Sequence, residues 1–455
     1  TGMHDWIVSF DINSLYPHLI MQYNISPEKI VGMNPEGTSV NKLLSRKLNL
    51  DHLKGQDVCM APNGATFKRD NAGFLPRLLD SMYQDRVVYK KKMMEAKKLH
   101  QETGDDKYKN EIARCHNIQW ARKIALNSAY GAIGNQYFRY YDVRQATAIT
   151  SSGQLVIRHI ETEVNNYINK ILQTEKKDYI VASDTDSIYL KLDSLVEKAC
   201  KDKTLNQKVN FIDKVAKQKI EPFIEKCFND LADYTNAFKQ RMVMKREVIA
   251  DKAIWTAKKR YMLHVLDDEG IRLTKPKMKI MGIEAVKSST PEVCRGKIKE
   301  AIDIMITKDN DTLIKFVANF REEFNQMTPE QISFPRSCNN LKKYRSSKDI
   351  FIKGTPIHVK GALIYNMKIK EHKIDHIYPA IQEGDKIKFI KLKQRNPFKN
   401  DVISYITKLP KEFDLDEYID RDMQFEKTFI APLSFILESI GWDIEKKASL
   451  EAFFG

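Results

Sequence analysis

Paired cysteines are missing from this 455-residue chain: its six, Cys59, Cys115, Cys200, Cys227, Cys294 and Cys338, are scattered without one Cys-x-x-Cys. The spacing gives no signature of a zinc site or an iron–sulfur cluster and leads us to expect reduced thiols in a cytoplasmic protein. No apolar run approaches the roughly 20 residues of a membrane-spanning helix, so no membrane partner is expected. Internal repeats and low-complexity stretches are also lacking, which excludes a solenoid or a fibrous chain. What is present is 42% hydrophobic residues, enough for sizeable cores, in a length suited to about three subdomains. Lys and Arg number 75 against 60 Asp and Glu, a net charge of +15. That excess fits a polyanionic partner, although solubility alone would be served equally well.

Asp184-Thr185-Asp186 lies between two apolar runs, residues 179–182 and 188–192, whose spacing predicts two strands joined by a tight turn. Both acids would then leave a hairpin tip together. A pair of hard oxygen ligands suits Mg²⁺ rather than zinc. Alone, an Asp-x-Asp is more often a solvated turn, but a third acid changes the reading. Ile7-Val8-Ser9-Phe10-Asp11-Ile12 predicts a buried strand that delivers Asp11 at its end, followed by Asn13-Ser14-Leu15-Tyr16-Pro17. The turn after the acid offers free backbone amides that can cradle phosphate oxygens, with Tyr16 beside them. Three carboxylates are the inventory of a two-ion site.

Three motifs now carry a resemblance. Asp11-Ile12-Asn13-Ser14-Leu15-Tyr16-Pro17 resembles motif A of family B DNA polymerases, Ser183-Asp184-Thr185-Asp186-Ser187 resembles their motif C, and Lys123-Ile124-Ala125-Leu126-Asn127-Ser128-Ala129-Tyr130-Gly131 matches the fixed positions of motif B. Longer stretches, residues 138–150 and 277–291, are similar to the replicative polymerases of T-even-type tailed phages. The likeness runs through nearly the whole chain. Two positions depart from the pattern: His18 stands where a small Ser usually follows the Pro, and Ser183 where a Gly commonly precedes the first Asp. Neither departure removes a ligand.

The resemblance implies an α+β right-hand architecture: an antiparallel-sheet palm from residues 1–72 and 132–285, two-helix fingers at 73–131, a mostly helical thumb at 286–445, and a clamp-binding tail at 446–455. The helical period over about 74–100, the break at Gln101–Asp106 and a second helix to Tyr130 fit such fingers. Arg86 and Lys90 fall four apart on the first helix, while Lys123, Asn127 and Tyr130 share a face of the second. By resemblance, Asp11 and Asp186 are the catalytic metal ligands for two Mg²⁺ ions, and Asp184 is a weaker ligand. Lys123 is catalytic and, with Ser14, Leu15, Tyr16, Arg86, Lys90, Asn127 and Tyr130, binds the nucleotide, Tyr16 excluding a 2′-hydroxyl. Lys258, Lys259, Arg260 and Tyr261 resemble the motif that tracks the primer. Glu247 and Glu284 match positions of outer or structural acids. Leu450, Phe453 and Phe454 share one face of the last segment, which resembles a sliding-clamp-binding peptide; packing back onto the thumb is the plainer alternative.

The function these features imply is template-directed addition of dNTPs to a primer 3′-hydroxyl, with primer–template DNA, dNTPs and a sliding clamp as partners. If the origin is a phage, the location is the cytoplasm of the infected bacterium. Thr1 stands only shortly before Asp11, so we expect an N-terminal and exonuclease portion on the same parent protein or on a separate chain. Two rivals from other classes are a catalytically silent DNA-binding subunit and a two-metal nuclease. The silent copy should have lost Asp11, Asp186 or Lys123 first, and the nuclease gives no reason for Tyr16 or the fingers helices.

Overall fold

The structure, a computed structural model, describes residues 1–34, 37–346 and 349–444. It divides into two compact units: the first comprises Trp6–Ile249 and Leu266–Leu273, the second the remainder. In chain order the elements are β1 (Gly2–Ile12), α1 (Leu15–Gln22), β2 (Ile30–Met33), the short α2 (Val40–Leu44) and α3 (His52–Gly55), β3 (Val58–Met60), β4 (Ala65–Lys68), α4 (Phe74–Thr103), α5 (Lys107–Ile133), α6 (Val143–Leu172), β5 (Ile180–Asp184), β6 (Ser187–Lys191), α7 (Asp193–Cys200), α8 (Leu205–Val215), α9 (Glu221–Tyr234), β7 (Met244–Ala257), β8 (Arg260–Asp268) and β9 (Ile271–Met281).

The first unit is built on a sheet in the order β5-β6-β1-β7-β8-β9, with β2-β4-β3 as a separate small sheet. Ile7, Val8, Phe10 and Ile12 are all fully buried, which is why β1 reads as an apolar run rather than an alternation. It pairs antiparallel with β6, setting Phe10 opposite Ile188 and Asp11 opposite Ser187. Packed in the same core are α1 and α6. Ile149, Ser152, Val156, Ile160, Val164, Ile168 and Leu172 make the buried stripe of α6 at spacings of three and four. The helix begins at Val143 because the Asp142 carboxylate caps it, accepting the Arg144 amide at 2.9 Å.

Helices α4 and α5 form the expected hairpin. Gly104 ends α4 in the left-handed region (φ 69°), its amide donating to His100 O. The second helix runs past Tyr130 to Ile133, with Gly131 inside its last turn and Gly134 at its end. Between α8 and α9 the chain makes a π-turn at Ala216–Ile220 that ends two residues before Pro222. A proline has no amide to give and crowds the carbonyl four residues back, so the widened turn absorbs it.

The second unit has its own core. It contains the remaining ends of β7, β8 and β9, then α10 (Glu292–Thr307), α11 (Asn310–Asn325), α12 (Pro329–Ile332), β10 (Phe334–Ser337), α13 (Leu341–Tyr344), α14 (Ile357–Glu371), β11 (Lys386–Lys391), β12 (Val402–Tyr405), α15 (Arg421–Phe425) and α16 (Ala431–Ile440). A second π-turn, Glu426–Ile430, again ends two residues before a proline, Pro432. The helical expectation for this region missed the antiparallel sheet β10-β11-β12. Its central strand is the basic segment Lys386-Ile387-Lys388-Phe389-Ile390-Lys391, in which Ile387, Phe389 and Ile390 are buried and the lysines mask a period of two. Mixed helix and antiparallel sheet agree with the α+β class. No helix among the described residues is long and apolar enough to cross a membrane, and all six cysteines are free and buried.

Candidate active site

Asp11 and Asp186 are brought together by backbone pairing. The Ile12 amide donates to Asp186 O at 2.8 Å, and Asn13 N–H to Val243 O at 3.0 Å, so the end of β1 is fastened between the β5–β6 tip and the start of β7. At that tip Asp186 N–H donates to Asp184 O at 2.5 Å around Thr185, which has φ 51°. A three-residue turn centred on a β-branched residue in the left-handed region is a strained arrangement. The Thr185 hydroxyl donates to the Asp184 carboxylate (3.2 Å) and Ser187 Oγ to the Asp184 carbonyl (3.3 Å). Thus Asp184 closes β5 and Asp186 stands in the turn, rather than both lying along one strand face.

Burial, first of all, pushes the Asp186 carboxyl above the usual carboxylate range; the charges of Asp184 and Glu247 push the same way and Lys123 opposes them. Glu247, on β7, accepts the Ser9 hydroxyl at 3.3 Å, and Ser9 Oγ also accepts the Val248 amide at 3.1 Å. A concentration of acids of this kind is relieved by a cation. Among the described residues no three His, Cys, Asp or Glu side chains are gathered closely enough to hold one ion. Mg²⁺ is commonly held by one or two carboxylates, its remaining positions filled by water and substrate phosphates, and the oxygen-only donors of Asp11 and Asp186 fit that mode.

Next to the acids, Ser14 (φ 49°) precedes α1 and does not cap it. Its hydroxyl instead accepts Arg86 Nη1 at 2.9 Å, leaving the first amides of α1 without a side-chain cap. Pro17 costs nothing in this first turn. His18 is buried, its Nδ1 3.0 Å from Ser14 O and its ring edge-on to Tyr83 (centroids 4.4 Å). Tyr16 packs on Tyr130 (centroids 4.9 Å). Burial, then the Tyr130 hydroxyl and the Asp186 carboxylate, raise its phenol above the ordinary value.

The residues expected on the fingers helices are partly gathered. Asn13, Tyr83, Arg86, Lys90 and Met94 line a cavity of about 450 Å³. Lys90 pairs with Glu269 at 3.0 Å. Lys123 lies over the Trp120 ring (5.1 Å), and Asn127 is exposed. In the second unit, Lys258 and Lys259 form the exposed turn between β7 and β8, Lys259 at φ 63°. Arg260 makes a bidentate pair with Glu284 (3.0 and 2.6 Å), which also accepts Lys287 (2.9 Å). Tyr261 is buried, stacked on Trp255 (5.3 Å). Leu450, Phe453 and Phe454 lie outside the described residues.

Two neighbours of the site escaped sequence reasoning. Ser9 could have been found, since it is two residues before Asp11 on the same strand face. Glu269 carried no local signal. Glu269 sits in the β8–β9 turn (φ 49°) with its amide donating to Glu247 O at 2.7 Å. The Asp267 carboxylate accepts the Gly270 amide (3.0 Å) and pairs with the buried Arg246, which also reaches Asp213 at 2.7 Å.

The backbone thus sets a strand-end acid close to a hairpin-tip acid, beside an uncapped helix start and the basic residues Arg86 and Lys90 of α4. The sequence profile of DNA polymerase family B matches residues 1–440, and the chain belongs to that family. It is 34% identical to the DNA-directed DNA polymerase of Escherichia phage RB69 and 32% identical to that of Enterobacteria phage T4, each alignment covering 99% of this chain and 55% of the phage protein. With DNA polymerase 1 of Pyrococcus abyssi (strain GE5 / Orsay) it shares 24% identity over 94% of this chain and 47% of the archaeal one. The chain spans about half the length of the curated relatives it matches.

Proposed function

We propose that this chain carries the polymerase centre of a replicative, phage-type family B DNA polymerase, adding dNTPs to a primer 3′-hydroxyl under template direction with release of pyrophosphate. The observation that carries the reading is the pairing of Ile12 N–H with Asp186 O, which sets Asp11 beside Asp186 next to the uncapped start of α1. In this reading Asp11 and Asp186 hold two Mg²⁺ ions, with Asp184 a weaker ligand and Glu247 an outer acid hydrogen-bonded to Ser9. Bound there, Mg²⁺ supplies acidification of the 3′-hydroxyl and neutralisation of charge on the leaving pyrophosphate.

The chain's own groups do the rest. The Ser14 and Leu15 amides and Arg86 receive triphosphate oxygens. Lys90, Lys123 and Asn127, on helices α4 and α5, complete the grip, and Tyr16 lies under the sugar, where its ring leaves no room for a 2′-hydroxyl. Lys258 and Lys259 track the primer phosphates, with Arg260 and Tyr261 fixing the turn that presents them; such contacts give affinity without sequence preference. Residues 1–72 and 132–285 serve as palm, 73–131 as fingers and 286–445 as thumb, with the tail 446–455 docking a sliding clamp and an exonuclease portion elsewhere in the parent protein or on a second chain. Primer extension with Mg²⁺ and four dNTPs tests the reading. Elongated primer supports it. Tight primer–template binding without extension would instead identify a silent DNA-binding subunit.

A further inference from the structure

Gly153 lies buried inside the long helix α6, where glycine costs helix stability relative to alanine. Its φ is unexceptional, so the backbone does not require it. Space does. A Cβ at this position would stand 3.3 Å from Tyr16 Cε1, 3.5 Å from Leu15 Cδ2 and 3.7 Å from Leu19 Cδ1. The first distance is shorter than an unstrained carbon contact. The Tyr16 ring is therefore seated directly on the bare backbone of α6, with the Tyr130 ring against it at 4.9 Å. Leu15 and Leu19 are buried and cannot yield easily. Tyr16 is half-buried.

We propose that Gly153 is a specificity-determining positioning residue: the missing side chain sets how deeply the Tyr16 ring sits, and through that depth how strictly the site refuses a ribose. The inference rests on the assignment of Tyr16 to the nucleotide sugar. A methyl group at 153 drives the ring a few tenths of an ångström away from α6, into the space that the proposed function gives to the sugar. The pocket becomes shallower. Ribonucleotides lose more than deoxyribonucleotides, because the 2′-hydroxyl points at the displaced ring.

The test is a set of four proteins, wild type, Gly153→Ala, Tyr16→Ala and the double variant, assayed for dNTP and rNTP incorporation on the same primer–template. Gly153→Ala should lower the rNTP-to-dNTP ratio of kcat/KM by threefold or more and raise KM for dNTP, and both effects should vanish in the Tyr16→Ala background. Equal loss for both sugars, or a loss that persists without the Tyr16 ring, makes Gly153 an ordinary packing position and overturns the proposal. If Tyr16→Ala alone leaves the ratio unchanged, the sugar assignment itself fails, a result separable from the first. Circular dichroism melting accompanies the kinetics. A Gly153→Ala protein that unfolds while the double variant folds supports the collision with Tyr16; if neither folds, the glycine serves the helix core and the proposal falls.

Discussion

The Lys90 ammonium lies 3.0 Å from the Glu269 carboxylate, joining helix α4 to the β8–β9 turn. Both side chains are substantially exposed, 43% and 54%, so the pair is worth no more than about 1 kcal/mol. It nevertheless occupies a cation that the proposed function gives to the triphosphate. Glu269→Gln is expected to lower KM for dNTP by about two- to fivefold with kcat unchanged, the equivalent of about 0.4–1 kcal/mol. Steady-state kinetics at low salt measure this, and the gain should fade as salt screens the pair.

Asp11→Ala and Asp186→Ala should each reduce nucleotide addition by at least about a thousandfold, roughly 4 kcal/mol of barrier at about 1.4 kcal/mol per tenfold. DNA affinity should stay within about twofold, because the proposed function gives these acids to metal ions rather than to DNA phosphates. Extension by either variant at more than a few per cent of the wild-type rate would remove the metal role.

Lys123→Ala should raise KM for dNTP and lower kcat together. Its charge lies close enough to oppose the rise in the Asp186 carboxyl, and the triphosphate contact that the proposed function gives it would be charge-assisted. Lys123→Arg should recover part of the activity. Normal kinetics in the alanine variant would assign the lysine to its Trp120 contact alone.

Gly282 has φ 69°, and a Cβ there would come within 2.1 Å of Lys259 O. Gly282→Ala should cost about 1–3 kcal/mol from backbone strain alone, with the overlap adding to it, and lower the melting temperature of the second unit by about 2–4 °C per kcal/mol. A melting point unchanged within a degree would contradict this contact.

His18 and His159 are both held below the ordinary imidazole value, first by burial. Their neutral forms are favoured in the fold, and His159 Nε2 has no hydrogen-bond partner. The unfolded chain takes up these protons once the pH falls below about 6.5, so stability should be complete above that value and decline as the pH drops further. Urea midpoints at pH 7.5 and 5.5 measure the decline, and His159→Gln should lessen it.

The acids, Tyr16 and the lysines of α4 and α5 could be picked out as candidates because each stands in a short motif at a strand end or on a helix face. The α4–α5 hairpin was legible from its period and its Gly104 break. What the sequence hid depends on contacts between distant segments: Glu269 meets Lys90 across the fold, and Gly153 matters only because Tyr16 rests on it. The strand at Lys386–Lys391 was hidden differently, by three lysines that made a largely alternating strand look like a charge run. In the same way Arg260 and Tyr261 read as part of a basic tetrad, yet one is tied to Glu284 and the other is stacked on Trp255.

Asp11 reaches its place only through the register of β1 against β6, in which Asp11 faces Ser187. Side chains along a strand alternate, so a shift of one residue would turn the carboxylate to the opposite face while leaving every amino acid present. Deleting a single residue between Ile7 and Phe10 should therefore be as damaging as removing the acid itself. Length, more than composition, is what this strand cannot change, whereas the exposed turn at Gly104 can accept extra residues without moving any group of the site.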